Sequence, residues 1–147
     1  MYEAKSFDDL KVGDRVSLSK TITEADGALY IAATGDFGPV HVDEVYAGAT
    51  RFGRRLAPGI MVAGLCTSIL TSELVGTIGV SVEDRFWFTG PVFYGDTITF
   101  EVWIAEQLDE TRTIVWEASA RNEDALEVLK ARATLKFPRR KPSQATA

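Results

Sequence analysis

The chain contains one cysteine, Cys66, and one histidine, His41, in 147 residues. A single cysteine cannot form a disulfide within the chain, which favours an intracellular, cytoplasmic protein. One histidine, one cysteine and scattered carboxylates do not form a zinc site, so we predict no metal centre. Cys66 lies in an apolar segment without a neighbouring base, and we predict an inert core thiol.

Long apolar runs and excess positive charge are also missing. No stretch is apolar enough to predict a membrane span. The N-terminus, with acidic Asp8 and Asp9, lacks the basic-then-apolar order of a signal peptide. A net charge of −5 argues against nucleic acid as a main partner. No glycine-rich nucleotide loop occurs, and no cofactor is predicted.

The length and composition predict one globular domain. Hydrophobic residues make up 46% and charged residues 25% of the chain, as in an ordinary globular protein that buries a sizeable core. We predict a domain over residues 1–138. Residues 139–147 are basic and then small and polar, which predicts a disordered C-terminal tail.

Helical signals dominate the first half of the chain. Thr23 can cap a helix, with Asp26 three residues further on, and Gly35 is a natural end for that helix. Asp43 can cap a second, short helix over residues 44–49. These signals place two helices on either side of residues 36–42.

The segment 59–75 is the most apolar in the chain. It carries one charge, Glu73, and Pro58 precedes it at a position where helices accept proline. A helix of this length spans about 24 Å and, being apolar on most faces, is predicted to be buried. Gly76 can end it.

The second half is rich in β-branched and aromatic residues, broken by turn residues. The predicted strands cover residues 16–22, 79–89, 97–106, 113–121 and 125–137. Short connections between the last three predict an antiparallel meander. We therefore predict an α+β fold in which a sheet of about five strands wraps around one long helix. The open edges of such a sheet favour pairing with a second copy, so we predict a homodimer or an assembly of dimers.

The histidine lies five residues after Asp36, with Gly38 and Pro39 between them. Glycine and proline end a helix, so the chain must turn here, and a turn can bring the two side chains together. An aspartate beside a histidine is a general acid–base pair that works near neutral pH. We therefore predict Asp36 and His41 as candidate catalytic residues.

Simpler interpretations stay open at this point. A lone histidine after a turn is commonly a surface or capping residue, and Asp36 can merely brace the turn. The basic cluster of Arg51, Arg54 and Arg55 can be a solvated loop, or it can contact the phosphates of an extended substrate.

Residues 35–47 resemble the hydratase signature of the MaoC-like dehydratases, also called (R)-specific enoyl-CoA hydratases. Residues 57–61 resemble that family's entry into its central helix, and residues 95–97 (Gly-Asp-Thr) resemble a turn between two of its strands. The resemblance covers residues 7–137 in the right order. It implies the hot-dog fold, in which a sheet wraps around a helix.

The resemblance also implies an activity and a set of roles. The reaction is the reversible syn addition of water to a trans-2-enoyl-CoA, giving an (R)-3-hydroxyacyl-CoA, as in fatty acid metabolism. Asp36 and His41 correspond to the dyad that holds and activates the water. Gly59 corresponds to the glycine whose N–H faces the thioester oxygen. The implied enzyme is a hydro-lyase that uses a CoA thioester as substrate and no separate cofactor.

Two positions depart from the family pattern. Gly38 stands where the family usually has asparagine, and Gly64 aligns with a serine often found near the dyad. These changes keep two alternatives open. The protein could be a dehydratase for acyl chains bound to a carrier protein, or a catalytically weak subunit that binds acyl thioesters.

Overall fold

The computed structural model of the chain describes residues 5–76 and 79–138. The predicted C-terminal tail, residues 139–147, lies outside the described residues. The structure has one sheet with helices packed against it, and a 3₁₀ turn at Phe7–Asp9 precedes the first strand.

Five antiparallel strands form the sheet, in the spatial order β1-β3-β4-β5-β2. They are β1 (Arg15–Thr21), β2 (Val80–Phe88), β3 (Thr97–Leu108), β4 (Thr113–Arg121) and β5 (Glu127–Lys136). The predicted strand count and the β3-β4-β5 meander are confirmed. β1 and β2 form the two edges of the sheet.

One face of the sheet carries the core. Along β3, alternate side chains are buried because successive residues of a strand point to opposite faces. These buried side chains are Ile98, Phe100, Val102 and Ile104. Trp116 of β4 lies fully buried beside them. The outer face carries polar and charged pairs across the strands, such as Arg132 with Glu106 and Glu117.

Before β2, the described part of the chain forms four α-helices. They are α1 (Glu24–Thr34), α2 (Pro39–Val42), α3 (Glu44–Gly48) and α4 (Gly59–Ile69). The predicted capping residues of α1 and α3 act as expected: the Thr23 hydroxyl accepts from the Asp26 amide, and the Asp43 carboxylate accepts from the Tyr46 amide. The single helical turn α2 was not predicted, because four residues give too short a pattern to recognise.

The long helix predicted over residues 59–75 is not a uniform α-helix. α4 ends at Ile69, and the chain continues as a π-helix over Leu70–Val75. At this junction the Thr71 hydroxyl donates to the carbonyl of Thr67 at 3.0 Å. Hydroxyl bonds of this kind compete with the regular backbone ladder.

The prediction that this helix is buried on most faces is also only partly correct. Val62, Ala63 and Cys66 are buried against the sheet. Ile60 and Gly64, four residues apart and therefore on one face, are exposed. The sheet of one chain covers only one side of the helix. Within residues 5–76 and 79–138, none of the helices reaches the length and apolarity that crossing a bilayer requires.

Candidate active site

The end of α1 places Asp36 at the surface. Gly35 adopts a left-handed conformation, with φ of 75°, and its N–H donates to the Ile31 carbonyl. A glycine in this conformation ends a helix without steric cost. The Asp36 N–H then donates to the Thr34 hydroxyl at 3.3 Å. The chain therefore leaves α1 sharply, with the Asp36 side chain half exposed.

The turn brings the Asp36 and His41 side chains close together. Pro39 starts α2, and the N–H of His41 donates to the Gly38 carbonyl at 2.8 Å. Asp36 Oδ2 lies 4.0 Å from His41 Nε2. The Asp36 side chain is 44% exposed and the His41 side chain 17% exposed. The pair therefore lies at a boundary between solvent and the protein interior.

A backbone carbonyl fixes the orientation of the imidazole. His41 Nδ1 lies 2.8 Å from the carbonyl oxygen of Leu56. Since a carbonyl can only accept, Nδ1 carries the proton and Nε2 carries the free lone pair of the neutral ring. The N–H of Leu56 donates to the Val40 carbonyl at 3.0 Å, and Leu56 pairs with Phe93 in a β-bridge. These two backbone contacts fix the position of Leu56 and of the carbonyl that accepts from His41.

An apolar cavity of about 160 Å³ borders His41. It lies between the start of α4, the end of β2 and the start of β5. Its lining includes Gly59, Val62, Phe88, Val128 and Leu129. A small apolar group can therefore lie beside the imidazole, shielded from water by aliphatic and aromatic side chains.

Gly59 is the first residue of α4 and borders the same cavity. Pro58 is the N-cap and offers no side chain that accepts a hydrogen bond. The amides of Gly59, Ile60 and Met61 therefore have no acceptor within the helix. A β-carbon at Gly59 would lie 3.1 Å from the Phe88 ring. The helix dipole favours negative charge at this end of α4.

The two glycines that depart from the family pattern have different surroundings. A β-carbon at Gly38 would lie 3.2 Å from His41 Cδ2 and 3.4 Å from Asp36 Oδ1. A β-carbon at Gly64 would meet nothing within 4 Å. Gly38 therefore contacts the Asp36–His41 pair, whereas the space at Gly64 is open.

The basic cluster takes part in the fold. Arg55 pairs with Glu24 and Glu44, Arg54 pairs with Asp96, and Arg51 lies over the Phe52 ring. Within residues 5–76 and 79–138, no three histidine, cysteine, aspartate or glutamate side chains cluster closely enough to hold a metal ion. Burial raises the pKa of the Cys66 thiol to about 12, so the thiolate does not form at neutral pH.

Three contributions to the site were missed by sequence reasoning. They are the Leu56 carbonyl, the Tyr94 hydroxyl, which lies 3.4 Å from the His41 carbonyl, and the Arg55 pairing. A backbone carbonyl has no residue-type signal, so no pattern could have identified Leu56. The basic cluster includes Arg55, but its spacing does not indicate which carboxylates the Arg55 side chain pairs with.

Known proteins resemble the chain along most of its length. It is 33% identical to the (R)-specific enoyl-CoA hydratase of Rhodospirillum rubrum over 134 residues, and the matched region covers 91% of this chain and 92% of that protein. It is also 33% identical to the 3-hydroxybutyryl-CoA dehydratase of Methylorubrum extorquens over 141 residues, and the matched region covers 96% of this chain and 89% of that protein.

The solved structures agree in fold. The (R)-hydratase from A. caviae superposes with a TM-score of 0.83 at 28% identity, covering 88% of this chain and 98% of that chain. The predicted hot-dog fold is thereby confirmed. A sequence profile of the MaoC-like domain matches residues 11–125, more than half of the 147 residues. The chain belongs to the MaoC-like domain family.

Proposed function

We propose that the protein catalyses the reversible hydration of a trans-2-enoyl-CoA to an (R)-3-hydroxyacyl-CoA, as a hydro-lyase. One observation carries this proposal: Asp36 Oδ2 lies 4.0 Å from Nε2 of His41, and His41 borders an apolar cavity that also borders the start of α4. The names of the two relatives at 33% identity support the same chemistry. We propose that no separate cofactor takes part, since the Asp36–His41 pair is assigned the activation of water, the second reactant.

In the proposed mechanism one water molecule bridges the pair. A separation of 4.0 Å is too long for a direct hydrogen bond, but one water can lie about 2.8 Å from both atoms. Its two O–H groups then donate to Asp36 Oδ2 and His41 Nε2. This arrangement leaves the water oxygen free to attack the substrate.

Proton transfer follows from the tautomer of His41. As the water oxygen bonds to C3, Nε2 takes one of its protons, and the carboxylate of Asp36 stabilises the imidazolium that forms. The same proton then passes to C2 on the same face of the double bond. One O–H bond and the π bond between C2 and C3 break while C3–O and C2–H bonds form, and His41 returns to its starting state.

The start of α4 stabilises the charge that develops on the thioester oxygen. Attack at C3 places negative charge on this oxygen as an enolate. We assign the Gly59 amide, at the positive end of the α4 dipole, as its hydrogen-bond donor. The apolar cavity of about 160 Å³ then receives the acyl chain.

The test is the loss of enoyl absorbance when the purified protein is mixed with crotonyl-CoA. Rapid loss, with only the (R)-3-hydroxy product formed, would support the proposal. A carrier-protein-linked enoyl thioester, run in parallel, distinguishes a CoA-specific enzyme from a carrier-dependent one. No turnover of either thioester, or of branched and dicarboxylic analogues, would contradict it and favour a binding subunit.

Alanine at Gly38 is expected to slow the reaction without abolishing it. The added β-carbon would lie 3.2 Å from His41 Cδ2, so the imidazole must shift by a few tenths of an ångström. We expect kcat to fall about tenfold, because displacements near 1 Å cost about 100-fold. Steady-state kinetics of Gly38→Ala measures this effect. An unchanged kcat would show that the position of the ring is not critical.

We further propose that the protein is a cytoplasmic homodimer that pairs through β2. This edge strand exposes Val80, Val82, Trp87 and Phe88, and α4 exposes Ile60. An open strand with apolar side chains is suited to pairing with another chain. The one cysteine, buried and unpaired, supports a reducing compartment.

Introducing positive charge on β2 tests whether the protein forms the proposed dimer. The double variant Val80→Lys, Val82→Lys is expected to convert a dimer into a monomer, because lysines on an edge strand oppose pairing. Light scattering after size exclusion gives the mass, and 16.1 kDa is the monomer value. The matched control is Val12→Lys, another exposed valine that lies outside β2. A wild type that elutes as a monomer would contradict the proposal directly.

A further inference from the structure

We infer that Arg55 is a positioning residue, which holds the segment carrying His41 in its working geometry by joining the two helices on either side. The importance of this geometry for catalysis rests on the proposed function, whereas the geometry itself can be tested without it. Three contacts of the Arg55 side chain and its place in the chain support the inference.

The first support is the bridge between α1 and α3. Arg55 Nη2 donates to Glu24 Oε1 at 2.5 Å, and Arg55 Nε donates to Glu44 Oε2 at 2.7 Å. Glu24 is the first residue of α1 and Glu44 is the first residue of α3. Residues 35–43, which include both Asp36 and His41, connect these helices. One guanidinium therefore fixes the starts of the helices that flank the pair.

The second support is the contact with Tyr94. The Arg55 guanidinium carbon lies 5.4 Å from the centre of the Tyr94 ring, within the range of a cation–π contact. The Tyr94 hydroxyl donates to the His41 carbonyl at 3.4 Å. The ring lies against Gly27 of α1, where a β-carbon would approach it to 2.4 Å. Arg55 thus also holds the group that contacts the His41 backbone.

The third support is the position of Arg55 in the chain. The next residue, Leu56, supplies the carbonyl that accepts from His41 Nδ1 at 2.8 Å. A displaced Arg55 backbone would move this carbonyl and release the imidazole. The Arg55 side chain is 22% exposed, whereas its glutamate partners are 68% and 65% exposed, so it is the Arg55 side chain that is held against the protein.

The geometry of the guanidinium explains why arginine is needed. Its N–H groups point in fixed directions and can bind two carboxylates at once, whereas a lysine ammonium acts as a point charge on a flexible stem. Without the guanidinium, Glu24 and Glu44 no longer share one donor group. We therefore expect lysine at position 55 to restore the charge but not the orientation of His41.

The single histidine makes the test direct, because every imidazole signal in a ¹⁵N NMR spectrum comes from His41. The variants are Arg55→Lys, Arg55→Gln and Glu44→Gln. Glu44→Gln removes the negative charge from one half of the bridge. The matched control is Arg112→Gln. Arg112 is 21% exposed, lies 4.8 Å from the Phe7 ring and pairs with Asp8, outside the candidate site.

In the wild type, we expect the neutral imidazole to carry its proton on Nδ1. In both Arg55 variants the signal should move toward the Nε2–H form that dominates in free histidine, and in Glu44→Gln the shift should be smaller. With crotonyl-CoA, kcat should fall between about 10-fold and 100-fold while KM changes less than about twofold, because Arg55 does not line the cavity assigned to the acyl chain and acts on the orientation of His41. The control should match the wild type in both measurements.

Unchanged ¹⁵N shifts in folded Arg55 variants would overturn the inference. So would an equal change in Arg112→Gln, since the effect would then be general destabilisation. If an Arg55 variant does not fold, Glu44→Gln alone decides, and an unchanged imidazole there counts against the bridge. If the wild type hydrates no thioester, the proposed function fails, and the NMR comparison still decides whether Arg55 positions His41.

Discussion

Asparagine at Asp36 or alanine at His41 is expected to lower kcat for crotonyl-CoA by a factor of about 10² to 10⁴, the range for loss of a positioned acid or base. In the proposed mechanism, Asp36→Asn removes the carboxylate that accepts from the water and stabilises the imidazolium. His41→Ala removes the proposed base itself. Since the two groups act on one water, the double variant should be little worse than either single variant.

The fold should tolerate both changes. The Asp36 side chain is 44% exposed, and His41 lies at the boundary of the interior, so neither substitution opens a large cavity in the core. Thermal unfolding should therefore remain close to that of the wild type. This result would show that the lost activity comes from the chemistry rather than from unfolding.

A neighbouring aspartate provides the matched control. Asp43 lies two residues after His41 and accepts from the Tyr46 amide at 2.9 Å, as the cap of α3. Asp43→Asn removes a negative charge close to the site but keeps a side chain that caps well. Its activity should stay near that of the wild type. Equal losses in Asp36→Asn and Asp43→Asn would indicate a general effect of charge and contradict the specific role of Asp36.

The sequence predicts much of the fold because its local signals agree with each other. The β3-β4-β5 meander follows from strand composition and short turns, both of which are local. The cap at Thr23 and the glycine at the end of α1 also act as their residue types indicate. In each case, neighbouring residues carry enough information to identify the element.

The errors arise where a local pattern is too weak or too short, or where distant contacts decide. The π-helix over Leu70–Val75 follows α4 with no glycine or proline between them, so the sequence marks no boundary there. The exposure of Ile60 depends on how much of α4 the sheet covers. The residues near Ile60 in the sequence do not indicate this coverage. The isolated turn α2 is shorter than the pattern that would reveal it.

In the candidate site, too, local features could be predicted from the sequence, and features that depend on distant residues could not. The proximity of Asp36 and His41 could be predicted, because five residues containing glycine and proline must turn. Which ring nitrogen of the neutral His41 imidazole carries the proton could not be predicted, because it depends on the Leu56 carbonyl 15 residues away. The Arg55 bridge joins residues separated by 31 and 11 positions. Folding brings these groups together, and only the structure shows their directions.

Alanine at Gly59 is expected to reduce kcat/KM for crotonyl-CoA about 100-fold. The new β-carbon would lie 3.1 Å from the Phe88 ring, inside the cavity that borders His41. Relief of this contact requires Phe88 or the start of α4 to move. Either movement displaces the Gly59 amide from its proposed place beside the thioester oxygen, and a misplacement of about 1 Å costs about 100-fold. Measured kinetics and the unfolding temperature together test this expectation.

The unfolding temperature of Gly59→Ala distinguishes a local effect on activity from damage to the fold. Gly59 is the first residue of α4 rather than an interior one, so the helix preference for alanine offsets little of the strain against Phe88, and the unfolding temperature should fall slightly. Gly48→Ala in α3 is the matched control, because the nearest atom to its new β-carbon is 4.0 Å away. The control should keep full activity. If Gly59→Ala is fully active and folded, the thioester oxygen does not approach this amide, and the charge must be stabilised elsewhere.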